Sequence, residues 1–343
     1  MAKQTVKILN LQGGGIRGYM SATFLARFCT QAGINPNQLY NAFDLITGTS
    51  IGGIQALGYA NGKSPSDLLG YMNANAETIF NYGSFEPYFL SRAEYQLAVT
   101  MALSGYSYSA FGQTLYSMYQ STGLQTVLTD ALGSGTILSA LPGKVIITSW
   151  DADENLPIFF SNITGFEPFL IGASDNAVSV GLCTSAAPIY FPIQTMNGHK
   201  YIDGGVFQNN PVETAFSVAR QLYPTATRFC ILSVGTGMPT QPLSFDTSYT
   251  SAPYNVQFMS YLMNQVFIPG PQQAAQNQMA LDSLGIYDDI FTYQFQYQFQ
   301  AGQDASMDNP DSSNLTALAG YANAQYDTDA AQIANFIEHF NIG

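Results

Sequence analysis

The chain has 343 residues, 46% of them hydrophobic, enough to bury a sizeable core in one large domain or two smaller ones. A formal net charge of -13 with only 10 Lys plus Arg leaves no basic footprint for nucleic-acid phosphates and argues against electrostatic capture by an anionic membrane. Any membrane contact is expected to be apolar and transient.

Met1 to Thr5 runs into a strand without the apolar core of a signal peptide. The longest apolar runs, such as Leu97 to Leu103, fall far short of the roughly 20 residues that span a bilayer. Residence in a reducing cytoplasm is expected, and export by a route that needs no cleavable signal is compatible with the same sequence. Val6–Leu11 reads as a buried strand that passes into the tight loop Gly13-Gly14-Gly15, and Tyr19–Thr30 has helical spacing. The same grammar repeats at once: a strand over Phe43–Gly48, then Ser50, then a small-residue helix from Ile51 to Tyr59 that ends at Asn61-Gly62. Two such units predict parallel strands joined by helices, hence a three-layer α/β/α fold with a central, mostly parallel sheet.

Ser64 to Pro142 reads as a mostly helical insertion crowded with Tyr, Phe and Met, serving either as a cap over a site or as core between helices and sheet. Further strands are expected at Lys144–Trp150, Leu156–Phe160 and Phe229–Val234. Val256–Phe267 has an amphipathic pattern, and another helix is expected after Pro269-Gly270-Pro271. Ile290–Phe299 alternates like an edge strand, a loop spans Ala301–Ser313, and a helical region ends near Phe340. No linker or repeat divides the chain, so 1-343 is read as one domain, with residues 238-343 packing on the core. Cys29, Cys183 and Cys230 are odd in number and apolar in context, which predicts buried reduced thiols. No Cys-x-x-Cys or Cys/His cluster offers a zinc site.

Gly48-Thr49-Ser50-Ile51-Gly52 is a Gly-x-Ser-x-Gly pattern at a strand-to-helix turn, the setting in which a serine sits exposed on a strained elbow. The pattern alone recurs by chance; its place after a strand gives it meaning. Gly13, Gly14 and Gly15 let the backbone approach a substrate closely and can supply N–H donors to an oxyanion, beside a helix N-terminus that favours negative charge. The spacing Gly13-x-Gly15-x-x-Gly18 also fits a dinucleotide fingerprint, although Asn35 to Asn41 hold no acidic ribose ligand. The chain has two histidines. His199 reads as part of a surface turn, and His339 falls in the terminal helix, so neither is well placed as a base. Asp203, which ends Tyr201-Ile202 and precedes Gly204-Gly205, is a carboxylate in a tight loop at a strand end and can accept a serine proton directly.

Gly13-Gly14-Gly15-Ile16-Arg17-Gly18, Gly48-Thr49-Ser50-Ile51-Gly52-Gly53 and Asp203-Gly204-Gly205 together resemble the patatin-like phospholipases, acyl hydrolases with a Ser-Asp dyad. Agreement extends to Phe43-Asp44-Leu45-Ile46, Thr184 to Phe191, Asn209-Asn210-Pro211 and Leu232 to Gly237, and more faintly to Asp304–Asn309. The resemblance implies Ser50 as nucleophile, Asp203 as its base and Gly13, Gly14 and Gly15 as the oxyanion hole. It places Arg17 beside that loop, either steadying it, the reading favoured here, or meeting a lipid phosphate. Gln12 departs from the aspartate that many relatives carry, which should alter loop hydrogen bonding more than chemistry. The expected partner is a phospholipid or other acyl lipid, with no metal or cofactor required. Two rivals stay open: a Ser-His-Asp esterase using His339, and a non-catalytic lipid- or partner-binding module of the same fold.

Overall fold

Strand alternation sorts the apolar side chains onto two faces of a sheet. In β1 (Thr5–Leu11), Val6 and Ile8 point to one side and Leu9 and Leu11 to the other; in β8 (Arg228–Val234), Phe229 and Ile231 part in the same way from Cys230, Leu232 and Val234. Both sets are buried, which forces helices onto both faces. The computed structural model describes residues 5–81, 117–188, 190–239 and 289–341.

Among the described residues nine strands form one sheet, with a main path β10-β8-β1-β2-β3-β4-β5. Here β2 is Leu45–Gly48, β3 Val145–Asp151, β4 Leu156–Ser161, β5 Leu170–Ile171 and β10 Asp289–Phe295. From β10 to β3 every pairing is parallel, as the strand–loop–helix units require. β4 runs antiparallel to β3, and the hairpin of β6 (Gln194–Met196) and β7 (His199–Asp203) lays β7 antiparallel against the far end of β3. Gly48 pairs with Ile147 and Asp203 with Ser149. Two residues distant in sequence therefore meet at the C-terminal end of β3, the end of an open α/β sheet where ligands bind.

One face is covered by α1 (Gly18–Ala32), α3 (Ile51–Ala60), α4 (Pro65–Ile79), α5 (Ser121–Leu132), α6 (Ala177–Thr184), α8 (Ser312–Thr328) and α9 (Ala330–Asn341); a short α2 (Leu39–Ala42) leads into β2. The other face packs on α7 (Val212–Leu222) through Val212, Ala215, Phe216, Val218 and Ala219. α4 starts where its sequence says it should: Ser64 and Asp67 form a reciprocal capping box, and Pro65 occupies the first turn, where its missing N–H is no loss.

The sequence expectations need three corrections. Ile290–Phe299 is not one strand: β10 stops at Phe295, and Gln298–Phe299 (β11) pairs instead with Met238–Pro239 (β9) in a separate ribbon. The turn expected around His199 is Asn197-Gly198, both at positive φ, and His199 itself opens β7. Patterning did not single out α6 or α7, the first being short and apolar all round. The centre of the Ser64–Pro142 insertion (82–116), Val256–Phe267 and the helix expected after Pro271 lie outside the described residues. All three cysteines are buried free thiols, and burial pushes Cys29 and Cys183 up to about 12. No helix among the described residues is long and apolar enough to cross a membrane.

Candidate active site

Ser50 stands between β2 and α3 at φ 56° and ψ −127°, a conformation that non-glycine residues rarely adopt and that persists only where neighbours fix it. Those neighbours are three threonines. The Ser50 N–H donates to Thr184 Oγ1 at 2.9 Å. Thr49 Oγ1 donates to the Gln208 carbonyl at 2.7 Å and accepts from Thr148 Oγ1 at 2.7 Å. Behind the elbow, a Cβ on Gly52 would run into the Leu11 carbonyl, so only glycine lets α3 start this close to the end of β1. Gly48 is equally crowded, against the Gly52 backbone.

Asp203 is the last residue of β7 and is 5% exposed. Its carboxylate accepts the Gly205 N–H at 2.6 Å, and the Ser50 side chain lies near enough to weigh on its protonation. Burial raises its pKa to about 6, while the Ser50 hydroxyl and the Gly205 N–H pull the other way. At neutral pH the group is ionised yet more basic than an ordinary carboxylate. Gly204 packs on Thr148, which ties this turn to the elbow's own support.

The glycine loop is held by its carbonyls. That of Gly13 accepts from Thr236 Oγ1 at 2.7 Å and Asn209 Nδ2 at 3.3 Å, and that of Gly14 accepts from Arg17 Nε at 3.3 Å. The Gly13 N–H donates to the Asn209 carbonyl at 3.2 Å, whereas the N–H groups of Gly14 and Gly15 have no acceptor among the described residues. The expected trio of donors thus divides: Gly13 is committed to the frame, while Gly14 and Gly15 line the cavity beside Ser50. Gly15 has φ 60°, and a Cβ there would strike the Met307 carbonyl, which accepts the Ile16 N–H at 2.8 Å. Gly18 opens α1, its carbonyl accepting from Gln55 Nε2 at 2.7 Å.

Arg17 is 3% exposed, and its donors turn to the Gly14 carbonyl and, at 3.2 Å, to the Ala305 carbonyl. Burial lowers its pKa to about 10, with Tyr190 and Asp304 opposing the shift. It braces the glycine loop against the segment before α8. Gln12 is also buried and donates to Ser233 Oγ at 3.2 Å, as a residue shaping loop hydrogen bonds should.

A cavity of about 90 Å³ opens onto Ser50 and Asp203. Apart from the residues already described its walls are almost wholly apolar, with Ile54, Met72, Ile79, Phe80, Leu124 and Phe191 among them. Four of these come from α4, its C-terminal end and α5, so the described part of the middle section walls the cavity while Leu68, Ala76 and Leu128 fill core. Both histidines lie away from it. His199 Nδ1 sits 2.8 Å from the buried Asp151 carboxylate, and His339 stacks on Phe291 at 3.8 Å beside β10.

Thr236, Met307 and Tyr119 were not recognised as site residues from sequence. Thr236 reaches Gly13 across 223 positions of chain, and Tyr119 reaches Asp308 across 189. No local pattern carries such a contact; only the resemblance at Leu232–Gly237 and Asp304–Asn309 drew attention to two of the three segments.

A family model described as patatin-like phospholipase matches residues 9–216. The chain is 34% identical over 218 residues to a cGAMP-activated phospholipase of Vibrio cholerae, covering 61% of this chain and 56% of that protein. It is 28% identical over 273 residues to Patatin-2-Kuras 4 of Solanum tuberosum, covering 72% and 66%. Human GIVD cytosolic phospholipase A2 aligns over 98% of this chain and 60% of its own, at 11% identity and a TM-score of 0.41. The chain spans about half the length of the first curated relatives it matches.

Proposed function

Because the chain belongs to the patatin-like phospholipase family, we propose that it is a serine acyl hydrolase that cleaves fatty acyl esters of phospholipids or related lipids through a Ser50–Asp203 dyad. The observation that carries this reading is the strained Ser50 that shares one apolar cavity with a buried carboxylate, Asp203, whose pKa burial raises to about 6. A serine hydroxyl is a poor nucleophile until a neighbour takes its proton, and a carboxylate raised toward neutrality is suited to that task.

In the proposed cycle Ser50 Oγ attacks the acyl carbonyl carbon as its proton passes to Asp203. The tetrahedral oxyanion is met by the N–H groups of Gly14 and Gly15, whose missing intrachain acceptors among the described residues support this role. Asp203 returns the proton to the departing alcohol or lysolipid. A water molecule then attacks the acyl-enzyme, gives a proton to Asp203, and the fatty acid leaves as Ser50 recovers its hydrogen. The acyl chain lies in the apolar cavity, and the polar head of the substrate stays outside it. Contact with the lipid surface is transient and apolar, in keeping with the net charge of -13.

The test is product analysis by mass spectrometry on mixed phospholipids. Wild type should release free fatty acid, and Ser50→Ala and Asp203→Asn should each lower the rate by roughly 10⁴-fold or more while remaining folded. Undiminished turnover by either variant would remove the dyad, and a non-catalytic module predicts no release by any of the three.

A further inference from the structure

Tyr119 is fully buried next to the cavity without lining it, and Asp308 is 3% exposed beside the glycine loop. The Tyr119 hydroxyl donates to Asp308 Oδ2 at 2.8 Å, and its backbone N–H donates to the Tyr190 carbonyl at 2.8 Å. Its ring meets Phe80 edge-on at 5.4 Å, Phe191 at 5.7 Å and Tyr190 at 6.5 Å. Phe80, Phe191 and Tyr190 are all cavity wall. The phenol thus stands behind the aromatic wall as its common support.

At its other end the hydrogen bond lands on the segment that fixes the glycine loop. Asp308 follows Met307, whose carbonyl accepts the Ile16 N–H and occupies the space a Gly15 side chain would need. Two residues earlier, the Ala305 carbonyl accepts from Arg17. One short stretch of backbone therefore braces both the loop that faces the reacting carbonyl and the wall that faces the acyl chain.

We propose that Tyr119 and Asp308 are positioning residues that set acyl-chain selectivity, by locking the aromatic wall of the cavity to the backbone that holds the glycine loop. The inference rests on the acyl-hydrolase reading above. A chain long enough to reach Phe80 and Phe191 gains from a wall that is already in place, because no ordering cost falls on binding. A short acyl group reaches only the loop and is indifferent to the wall. Loosening the link therefore penalises long chains selectively, beyond any loss common to all esters.

The experiment compares kcat/KM for the p-nitrophenyl esters of dodecanoate and butanoate. In Tyr119→Phe, which keeps the ring and removes the hydroxyl, the dodecanoate-to-butanoate ratio should fall about tenfold, the scale of one buried hydrogen bond to a carboxylate. Asp308→Ala should lower the ratio at least as far. Asp308→Asn, which retains an acceptor for the phenol, should lie between these and wild type, and it reads the link with the ring untouched should Tyr119→Phe fold poorly. A ratio within twofold of wild type in a folded Tyr119→Phe, or a different order of the variants, would overturn the proposal. If the wild type cleaves neither ester, the same ratio is read between long- and short-chain phosphatidylcholines, and only a wild type that also releases no fatty acid from phospholipids removes the acyl-hydrolase reading and this one with it.

Discussion

After β1 the chain turns through Gly13, Gly14 and Gly15 into α1; after β2 it turns through Thr49 and Ser50 into α3. The two junctions begin from the same strand–turn–helix grammar and stand side by side, since a Cβ placed on Gly13 would lie 3.2 Å from that of Ser50. They treat their polar groups in opposite ways. In the first, the carbonyls of Gly13 and Gly14 are tied to Thr236, Asn209 and Arg17, and two cavity-lining glycines, Gly14 and Gly15, have N–H groups with no acceptor among the described residues. In the second, the Ser50 N–H is tied to Thr184, and Ser50 lines the cavity together with Asp203. In the proposed function one turn keeps donors for an anion and the other keeps a nucleophile, and neither role follows from the grammar they share.

Placing a side chain at the first junction tests this contrast most severely. Gly15→Ala forces a Cβ into a positive-φ position and onto the Met307 carbonyl, turning the Gly15 amide away from the cavity. We expect kcat on an acyl ester to fall about 10²–10³-fold, the loss seen when one oxyanion donor is removed. The control is Gly33→Ala, also at positive φ but with open space around it, which should cost about 1 kcal/mol of stability and leave kcat unchanged. If Gly15→Ala turns over within threefold of wild type, the amides of that loop are not donors.

The next test separates Asp203 from both histidines. With a pKa of about 6, Asp203 is the acceptor form only above that pH, so kcat/KM should rise tenfold per unit up to about pH 6 and then level. Replacing His199 and His339 together by Gln should leave the inflection where it was; its disappearance would restore the esterase rival. Stability carries a matching signature. The pKa is raised on folding from 3.8 to about 6, so the folded state holds its proton more tightly, and the stability due to this group is present below 3.8 and lost as pH rises through about 6. Relative to wild type, Asp203→Asn should gain roughly 2 kcal/mol between pH 4 and pH 8 in urea titrations.

What could be read in advance follows from the range of the interactions. The strands of the parallel core, the elbow and the Asp-Gly-Gly turn are local patterns and were legible as such. The division of labour within Gly13–Gly15 was not, because it depends on an Asn209 carbonyl 196 positions away and on the way that segment returns after β7. β7 offered only Tyr201-Ile202 as an apolar run, and its register against β3, which brings Asp203 to Ser50, is a tertiary fact. The break between β10 and β11 was hidden because the alternation continues through Gln296 and Tyr297 while the pairing partner changes. Tyr119 looked like one aromatic among many; only its buried hydroxyl sets it apart.

The smallest predicted effect bears on the second junction alone. Ser50→Ala and Ser50→Gly both remove the hydroxyl, so they differ chiefly in how each tolerates φ 56°. Alanine keeps a Cβ in a conformation that costs about 1–3 kcal/mol for a non-glycine residue. Glycine relieves that cost and gives back part of the gain through the greater freedom of its unfolded chain, about 0.4–1 kcal/mol. The glycine variant should therefore be the more stable of two inactive proteins by about 1 kcal/mol, read from their urea midpoints at equal slope. Were alanine the more stable, the elbow would be unstrained, and the three threonines that hold it would have to be explained by packing alone.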